Sequence, residues 1–343
     1  MSQSPPAMHI IQPSTSPLPK QSLKPRFHFE PQQVMALLRE RIIGQEPALA
    51  EIEKMLHVVK ADFSHPERPL SVTLMLGPTG VGKTETVRLI SQAIYGYADA
   101  VCRIDMNTLA QEHYAAAITG APPGYVGSKE GHSLFDETAI SGSHTRPGIM
   151  LFDELEKASP EVIRSLMNIL DTGKLTLTAG TKTIDFRNCM IFMTSNVGAQ
   201  AAQQYLDKLA FLPTKLQQLC LKRVPVQRVI EKVMQRKFDP EFLNRIDRSL
   251  HYGAVQEDAL PRLVDIELSK LNQRLAIQQR QVQLTKPAKA YFYQQHDIRY
   301  GARHLARKIR TELEPILAVY FLQHPEQPIL QIDCQHNQLM IKA

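Results

Sequence analysis

Apolar residues in this chain change register along its length. From Pro31 they recur at helical spacing, as Val34, Leu37 and Leu38, then as Leu49, Ile52, Met55, Leu56 and Val59. Two amphipathic helices follow from that period, one on each side of Arg41-Ile42-Ile43-Gly44-Gln45. Next come four short, nearly continuous apolar runs, at Val72–Leu76, Ala100–Met106, Gly148–Asp153 and Asn188–Thr194. Such runs predict strands buried on both faces, as in a parallel sheet with helices on either side. Between the last two runs, Ser159-Pro160-Glu161 offers an N-cap, a first-turn proline and an acid. Val162, Ile163, Leu166, Met167 and Leu170 then give the next helix its apolar side. The fold class is α/β, with a ligand expected at the carboxyl ends of the strands.

Past about residue 250 helical stripes dominate: Leu260, Leu263, Ile266, Leu271 and Leu275, then Leu305, Ile309, Leu313, Ile316, Leu317 and Tyr320. Extended runs at Val282–Leu284 and Ile329–Ile332 flank the second stripe, and Gln335-His336-Asn337 turns the last strand back into Leu339-Met340-Ile341. This predicts a second, small, mainly helical α+β domain. At the other end, six prolines (Pro5, Pro6, Pro13, Pro17, Pro19 and Pro25) stand among Ser and Gln, the composition of a disordered tail. The expected divisions are a tail over 1–30, a large α/β domain over 31–249 and the small domain over 250–343.

Composition changes this picture little. With 43% apolar and 22% charged residues in 343, the chain is an ordinary globular protein with room for two cores. A net charge of +6 permits an acidic partner or nucleic acid, although a slightly basic solvated surface accounts for it. The four cysteines form no C-x-x-C pair, so neither a zinc site nor a disulfide framework is indicated. No run approaches the ~18 apolar residues of a membrane span, and no signal-peptide core is seen near the start, so a cytoplasmic location is expected.

The chemistry begins at Gly77-Pro78-Thr79-Gly80-Val81-Gly82-Lys83-Thr84, between a predicted strand and a predicted helix. In that setting G-x-x-x-x-G-K-[ST] is a phosphate cradle. Glycines let backbone N–H groups converge on phosphate oxygens, and the helix N-terminus adds its positive dipole end. Lys83 is placed for the β- and γ-phosphates and the Thr84 hydroxyl for Mg²⁺, so the chain is read as binding a nucleoside triphosphate with Mg²⁺. Asp153 and Glu154 close a strand 70 residues beyond Lys83. Asp153 suits the metal, directly or through water, and Glu154 suits a general base acting on the attacking water. Asn196 closes the next strand, where an amide could orient that water.

The order and wording of these stretches resemble the AAA+ ATPases of the Clp family, most closely the second ATPase module of ClpB- and ClpA-type unfoldases. The resemblance rests on Arg41–Gln45, Gly77–Thr84, Gly120–Gly127, Leu151–Val162, Thr183–Asn188, Met193–Gly198, Phe238–Asp247 and Tyr300–Arg303, in the family's order. It implies an ATPase that unfolds or remodels proteins by threading polypeptide through a homo-hexameric ring. It further implies that Ile42 and Ile43 bracket the adenine, that Asn196 is the first sensor and that Arg245 is the finger completing a neighbour's site. Arg303 would then be the small domain's sensor arginine. A guanidinium near the γ-phosphate suits both arginines, because it stabilises transition-state charge. The same resemblance makes Gly124-Tyr125-Val126-Gly127 the pore loop, with Tyr125 gripping substrate, and points to a second substrate loop around Thr178–Thr181.

Two departures qualify this. Relatives usually carry two ATPase modules and an N-terminal domain, whereas one module is seen here, which leaves substrate delivery or an adaptor open. Peptidase-coupled members carry Ile/Leu-Gly-Phe/Leu where this chain has Leu209-Ala210-Phe211, so peptidase docking is not expected. Two other readings remain beside the unfoldase. One is a nucleic-acid motor or loader, motivated by the basic cluster Arg303, Arg307, Lys308 and Arg310, which a solvated helix face would also explain. The other is an assembly scaffold switched by ATP, against which the intact Glu154 and Arg245 argue.

Overall fold

In the computed structural model, residues 25–110, 134–176, 182–294 and 301–342 are described. The large domain is built on a five-stranded sheet of β1 (Ser71–Leu76), β2 (Cys102–Asp105), β3 (Gly148–Asp153), β6 (Cys189–Ser195) and β7 (Arg248–His251). Its spatial order is β2-β3-β6-β1-β7 and every pairing is parallel. The antiparallel hairpin of β4 (Lys174–Thr176) and β5 (Thr183–Asp185) stands apart from it. The central strands β1, β3 and β6 are buried at every residue, as their unbroken apolar runs predict.

Side-chain alternation explains why both faces need apolar residues. Met75, Ile149, Leu151 and Phe192 enter one core, shared with the helices Pro31–Arg41, Glu46–Lys60 and Lys83–Tyr95. Leu74, Met150, Phe152 and Ile191 enter the other, beneath the helix Pro160–Thr172 and Phe238 and Phe242. That helix has the predicted start, with the Ser159 hydroxyl accepting from Val162 N. Strand β7 was not apparent as a strand in the sequence, because among Arg248, Ser249, Leu250 and His251 only Leu250 is buried. It lies at the sheet edge and spans the division expected after residue 249.

The expectation of disorder through residue 30 is corrected for residues 25–30. Phe27 and Phe29 are buried, His28 N donates to Thr145 O at 3.0 Å, and Lys60 Nζ donates to Phe27 O and Phe29 O at 2.9 and 2.7 Å. Two aromatic anchors outweigh the proline-rich context around them. Residues 1–24 lie outside the described residues.

The small domain contains the helices Leu260–Leu275, Lys286–Gln294 and Gly301–Lys308, the last passing through a π turn at Ile309–Leu313 into Glu314–Gln323. Its sheet pairs β8 (Gln281–Leu284) parallel to β9 (Ile329–Gln335), which turns through His336 and Asn337 into antiparallel β10 (Gln338–Lys342). Both turn residues have positive φ, 49° and 62°, as a tight hairpin requires. The solvated reading of the basic cluster fails at Lys308. That side chain is buried, donates to Tyr291 O at 2.9 Å and sits 4.1 Å from the centre of the Tyr291 ring. Burial moves its pKa below the usual lysine value.

Phe27→Ala empties a fully buried aromatic site, so it is expected to cost about 3–5 kcal/mol. The check is a clear fall in the urea midpoint. An unchanged midpoint would mean that residues 25–30 contribute nothing to the fold.

Candidate active site

β1 delivers the chain to the phosphate cradle, and Gly77 makes the first turn at φ +151°. A Cβ there would lie 2.4 Å from Tyr252 O, so no other residue fits without displacing backbone. The helix Lys83–Tyr95 follows directly, with Gly82 as its N-cap. Ile42 packs over Gly82, 3.2 Å from the position a Cβ would take. Ile42 and Ile43 are both buried. Neither lines the polar cavity next to the cradle.

Lys83 is the centre of the arrangement. It is 7% exposed, and its ammonium donates to Gly77 O at 2.6 Å, Pro78 O at 2.6 Å and Asn196 Oδ1 at 2.8 Å. All three acceptors are neutral. Desolvation pulls the pKa down to about 8, against the opposing pull of Glu156, Asp153 and Glu154, while Arg303 lowers it further. Asn196 is itself fixed, because its backbone N–H donates to Glu156 Oε1 at 3.2 Å.

Asp153 is buried and accepts from three directions. The Thr84 hydroxyl is 3.2 and 3.3 Å from its two oxygens, Arg103 Nη2 donates at 2.6 Å, and the Thr194 hydroxyl donates to Oδ1. Thr194 Oγ1 also accepts from Glu154 N at 3.0 Å, so one hydroxyl on β6 orders both acids. Glu154 takes a left-handed conformation at φ 58°, uncommon for a side chain of this kind and typical of a constrained site. Its carboxylate accepts from Asn107 Nδ2, and Asn107 is held in turn by Asp105 Oδ1 at 2.9 and 3.0 Å.

These groups surround a cavity of about 540 Å³ whose wall includes Thr79, Lys83, Glu154, Asn196, Arg103 and, from the small domain, Arg303. The small domain touches the cradle itself. Ala302 N donates to Gly80 O at 2.9 Å, and Gly301, at φ +52°, passes so close that a Cβ would be 2.6 Å from Gly80 O. The structure thus brings together the cradle, Asp153, Glu154, Asn196 and Arg303. It does not bring Arg245 into this cavity. Arg245 Nε donates to Asp171 at 2.6 Å, and its other nitrogens reach Glu241 O at 2.7 Å and Glu241 Oε1 at 3.0 Å. Gly124, Tyr125, Val126 and Gly127, and Thr178–Thr181, lie outside the described residues.

The residues suit a triphosphate and a hard cation. A buried ammonium contacting only neutral oxygens gains directly from an anion. A hydroxyl and a carboxylate, Thr84 and Asp153, are the oxygen donors that Mg²⁺ prefers beside phosphate. Among the described residues no group of three or more His, Cys, Asp and Glu could hold a metal, so such a cation would rely on phosphate and water for its remaining ligands. Sequence reasoning missed Asn107, Arg103, Thr194 and Glu156. The available signal was the polar Arg103 and Asn107 on either side of Asp105, at the end of an apolar run that pairs with β3.

The AAA domain (Cdc48 subfamily) matches residues 68–249, and the C-terminal, D2-small domain, of ClpB protein matches residues 255–332. An ATP-dependent protease ATP-binding subunit-like protein, AmiB, of Pseudomonas aeruginosa is 46% identical over 312 residues, covering 89% of this chain and 83% of that protein. The ATP-dependent Clp protease ATP-binding subunit ClpC of Staphylococcus saprophyticus is 37% identical across 88% of this chain but 36% of its own length. Chaperone protein ClpB 1 of Synechococcus elongatus is 33% identical across 89% of this chain and 34% of its own. Against ClpC and ClpB, the chain spans about a third of the relative's length.

Only the ammonium form of Lys83 attracts phosphate, and that form is lost as pH rises through about 8. Affinity for ATP is therefore expected to fall about tenfold between about pH 7 and pH 9, where the arginines stay charged. Calorimetric titration across that range checks it. A flat affinity would show that Lys83 keeps its proton in the free protein.

Proposed function

This chain belongs to the AAA+ ATPases of the Clp family, and from that premise we propose that it is an ATP-hydrolysing motor that remodels proteins by drawing polypeptide through a homo-hexameric ring. The observation that carries the proposal is the buried Lys83 facing Asp153, Glu154 and Asn196, with Arg303 of the small domain on the same cavity. Lys83 and the cradle N–H groups would hold the β- and γ-phosphates. Thr84 and Asp153 would hold Mg²⁺, which when bound neutralises phosphate charge. Ile42 and Ile43 would flank the adenine.

Glu154 is the group to take the proton of the attacking water, with Asn196 orienting that water. Asn107 donates to one oxygen of that carboxylate, Oε2, which orients it and leaves Oε1 to accept the proton. Arg303 would transmit the state of the γ-phosphate to the small domain, whose Ala302 already rests on Gly80. Arg245 would leave Asp171 and Glu241 to complete the site of the neighbouring subunit. Tyr125 would grip substrate without reading its sequence, since a ring aromatic offers a large contact area to any chain. The substrate is a polypeptide, delivered directly or by an adaptor, and the cytoplasm is the proposed location. No helix among the described residues is long and apolar enough to cross a membrane. The nucleic-acid reading loses two of the four residues that motivate it, because Lys308 is buried and Arg303 lines the cavity beside the cradle.

Two substitutions separate hydrolysis from work. Glu154→Gln is expected to bind ATP with parental affinity while turnover falls by about 10²-fold or more. Tyr125→Ala is expected to keep basal turnover and lose processing of an unfolded polypeptide substrate. Parental processing by the Tyr125 variant would refute threading, and parental turnover by the Glu154 variant would refute the assigned base.

A further inference from the structure

Between β6 and β7 the chain makes a helical excursion through Ala199–Ala210, Thr214–Arg223 and Val226–Lys237. Residues 199–237 contain eight lysines and arginines and two acids, Asp207 and Glu231, a surplus of six. The whole chain carries a net +6, so this excursion holds the entire excess and the remainder is balanced. No ion pair with a described residue engages Lys208, Lys215, Lys222 or Arg223.

The same excursion exposes large apolar side chains. Phe211 is 91% exposed, Leu219 61% and Leu216 48%. None of the described side chains of the helix Thr214–Arg223 is buried. A ten-residue helix is marginal by itself, and this one is held at its edges. Tyr205 Oη donates to Val224 O at 2.8 Å, and Gln217 Nε2 donates to Leu212 O at 2.8 Å. Those bonds hold the helix while Leu216 and Leu219 stay exposed. At about 100° per residue, Lys215, Leu216, Leu219, Lys222 and Arg223 fall within an arc of about 120°, so leucines and cations share one face.

We propose that this face docks an acidic, amphipathic segment of a partner protein, with its apolar residues seated on Phe211, Leu216 and Leu219 and its carboxylates against Lys215, Lys222 and Arg223. Charge and apolar surface each narrow the choice of occupant. A second copy of the same face would set the same three cations, Lys215, Lys222 and Arg223, against their counterparts and be repelled. A nucleic acid would satisfy the cations but leave the leucine stripe in water, since phosphate contacts need no aliphatic surface. An acidic helix uses both, in the manner of helices laid on apolar grooves. The face also differs from a peptidase-docking tripeptide loop, because Leu209 is buried and Phe211 ends a helix. The proposal is independent of the nucleotide site, so its failure would leave the ATPase reading intact.

Fluorescence anisotropy at physiological salt tests it on the full chain. The probes are a labelled Glu/Leu amphipathic helical peptide, its scrambled counterpart of equal charge, and a single-stranded oligonucleotide of matched charge. The amphipathic peptide is expected to bind at least ~10-fold more tightly than the other two. Phe211→Ser with Leu219→Ser, and separately Lys215→Glu with Lys222→Glu, should each weaken it by ~10-fold with basal ATPase activity unchanged. Failure of the peptide to bind, equal binding of the scrambled peptide or the oligonucleotide, or binding that survives either pair of substitutions would overturn the proposal. So would self-association that Phe211→Ser with Leu219→Ser abolishes.

Discussion

The ammonium of Lys83 is buried among neutral oxygens, and the rest of the site follows from that constraint. A cation taken out of water costs several kcal/mol unless an anion compensates it, and here the contacting partners are two backbone carbonyls and an amide. The fold tolerates the cost because parallel pairing of β1 with β6 sets Leu76 opposite Ser195, bringing Gly77, Pro78 and Asn196 around one point. A triphosphate entering the cavity would replace weak neutral acceptors with charged ones. Burial holds the Lys83 pKa down at about 8, and an anion beside the ammonium would raise it again.

The elements around Lys83 also connect the site to the parts that would move. Gly80 of the cradle accepts from Ala302, and Gly301 fits against it only because it lacks a side chain. The small-domain residues Leu305, Ile309 and Leu313 belong to the same core as Ile42, Val87 and Ile90 beside the cradle. A change at the phosphates therefore has a packed route to the small domain. On the other face of the sheet, Arg245 is clasped by Asp171 and Glu241, away from its own cavity. Within one chain the cavity gathers Lys83, Glu154, Asn196 and Arg303 but not Arg245.

Much of this was legible from residue pattern, and the exceptions share a physical cause. Strands β1, β3 and β6 were readable because burial on both faces demands unbroken apolar runs, whereas β7 sits at an edge and needs only Leu250 inside. Phe27 and Phe29 were hidden by the prolines before them, since composition averages over two anchors. Lys308 was misjudged because a helical period cannot show that Tyr291 and Phe292 cover that side of the helix. In the site, the cradle and the acids were readable as local words. Asn107, Arg103 and Thr194 were not, because their partners come from other strands, through pairings such as Asp105 with Asp153. Roles that depend on strand register stay invisible until the sheet is assembled.

The central claim is that the ATP site is complete only when a second chain lends Arg245. ATP turnover of rings assembled from equal amounts of Lys83→Ala and Arg245→Ala chains measures this directly. On the proposed roles, Lys83→Ala chains would lose the triphosphate but keep the finger, while Arg245→Ala chains would keep the triphosphate and lack the finger. The account predicts that each protein alone is silent and that the mixture recovers a substantial fraction of parental turnover. A mixture that stays silent although it assembles, or an Arg245→Ala protein active by itself, would contradict it.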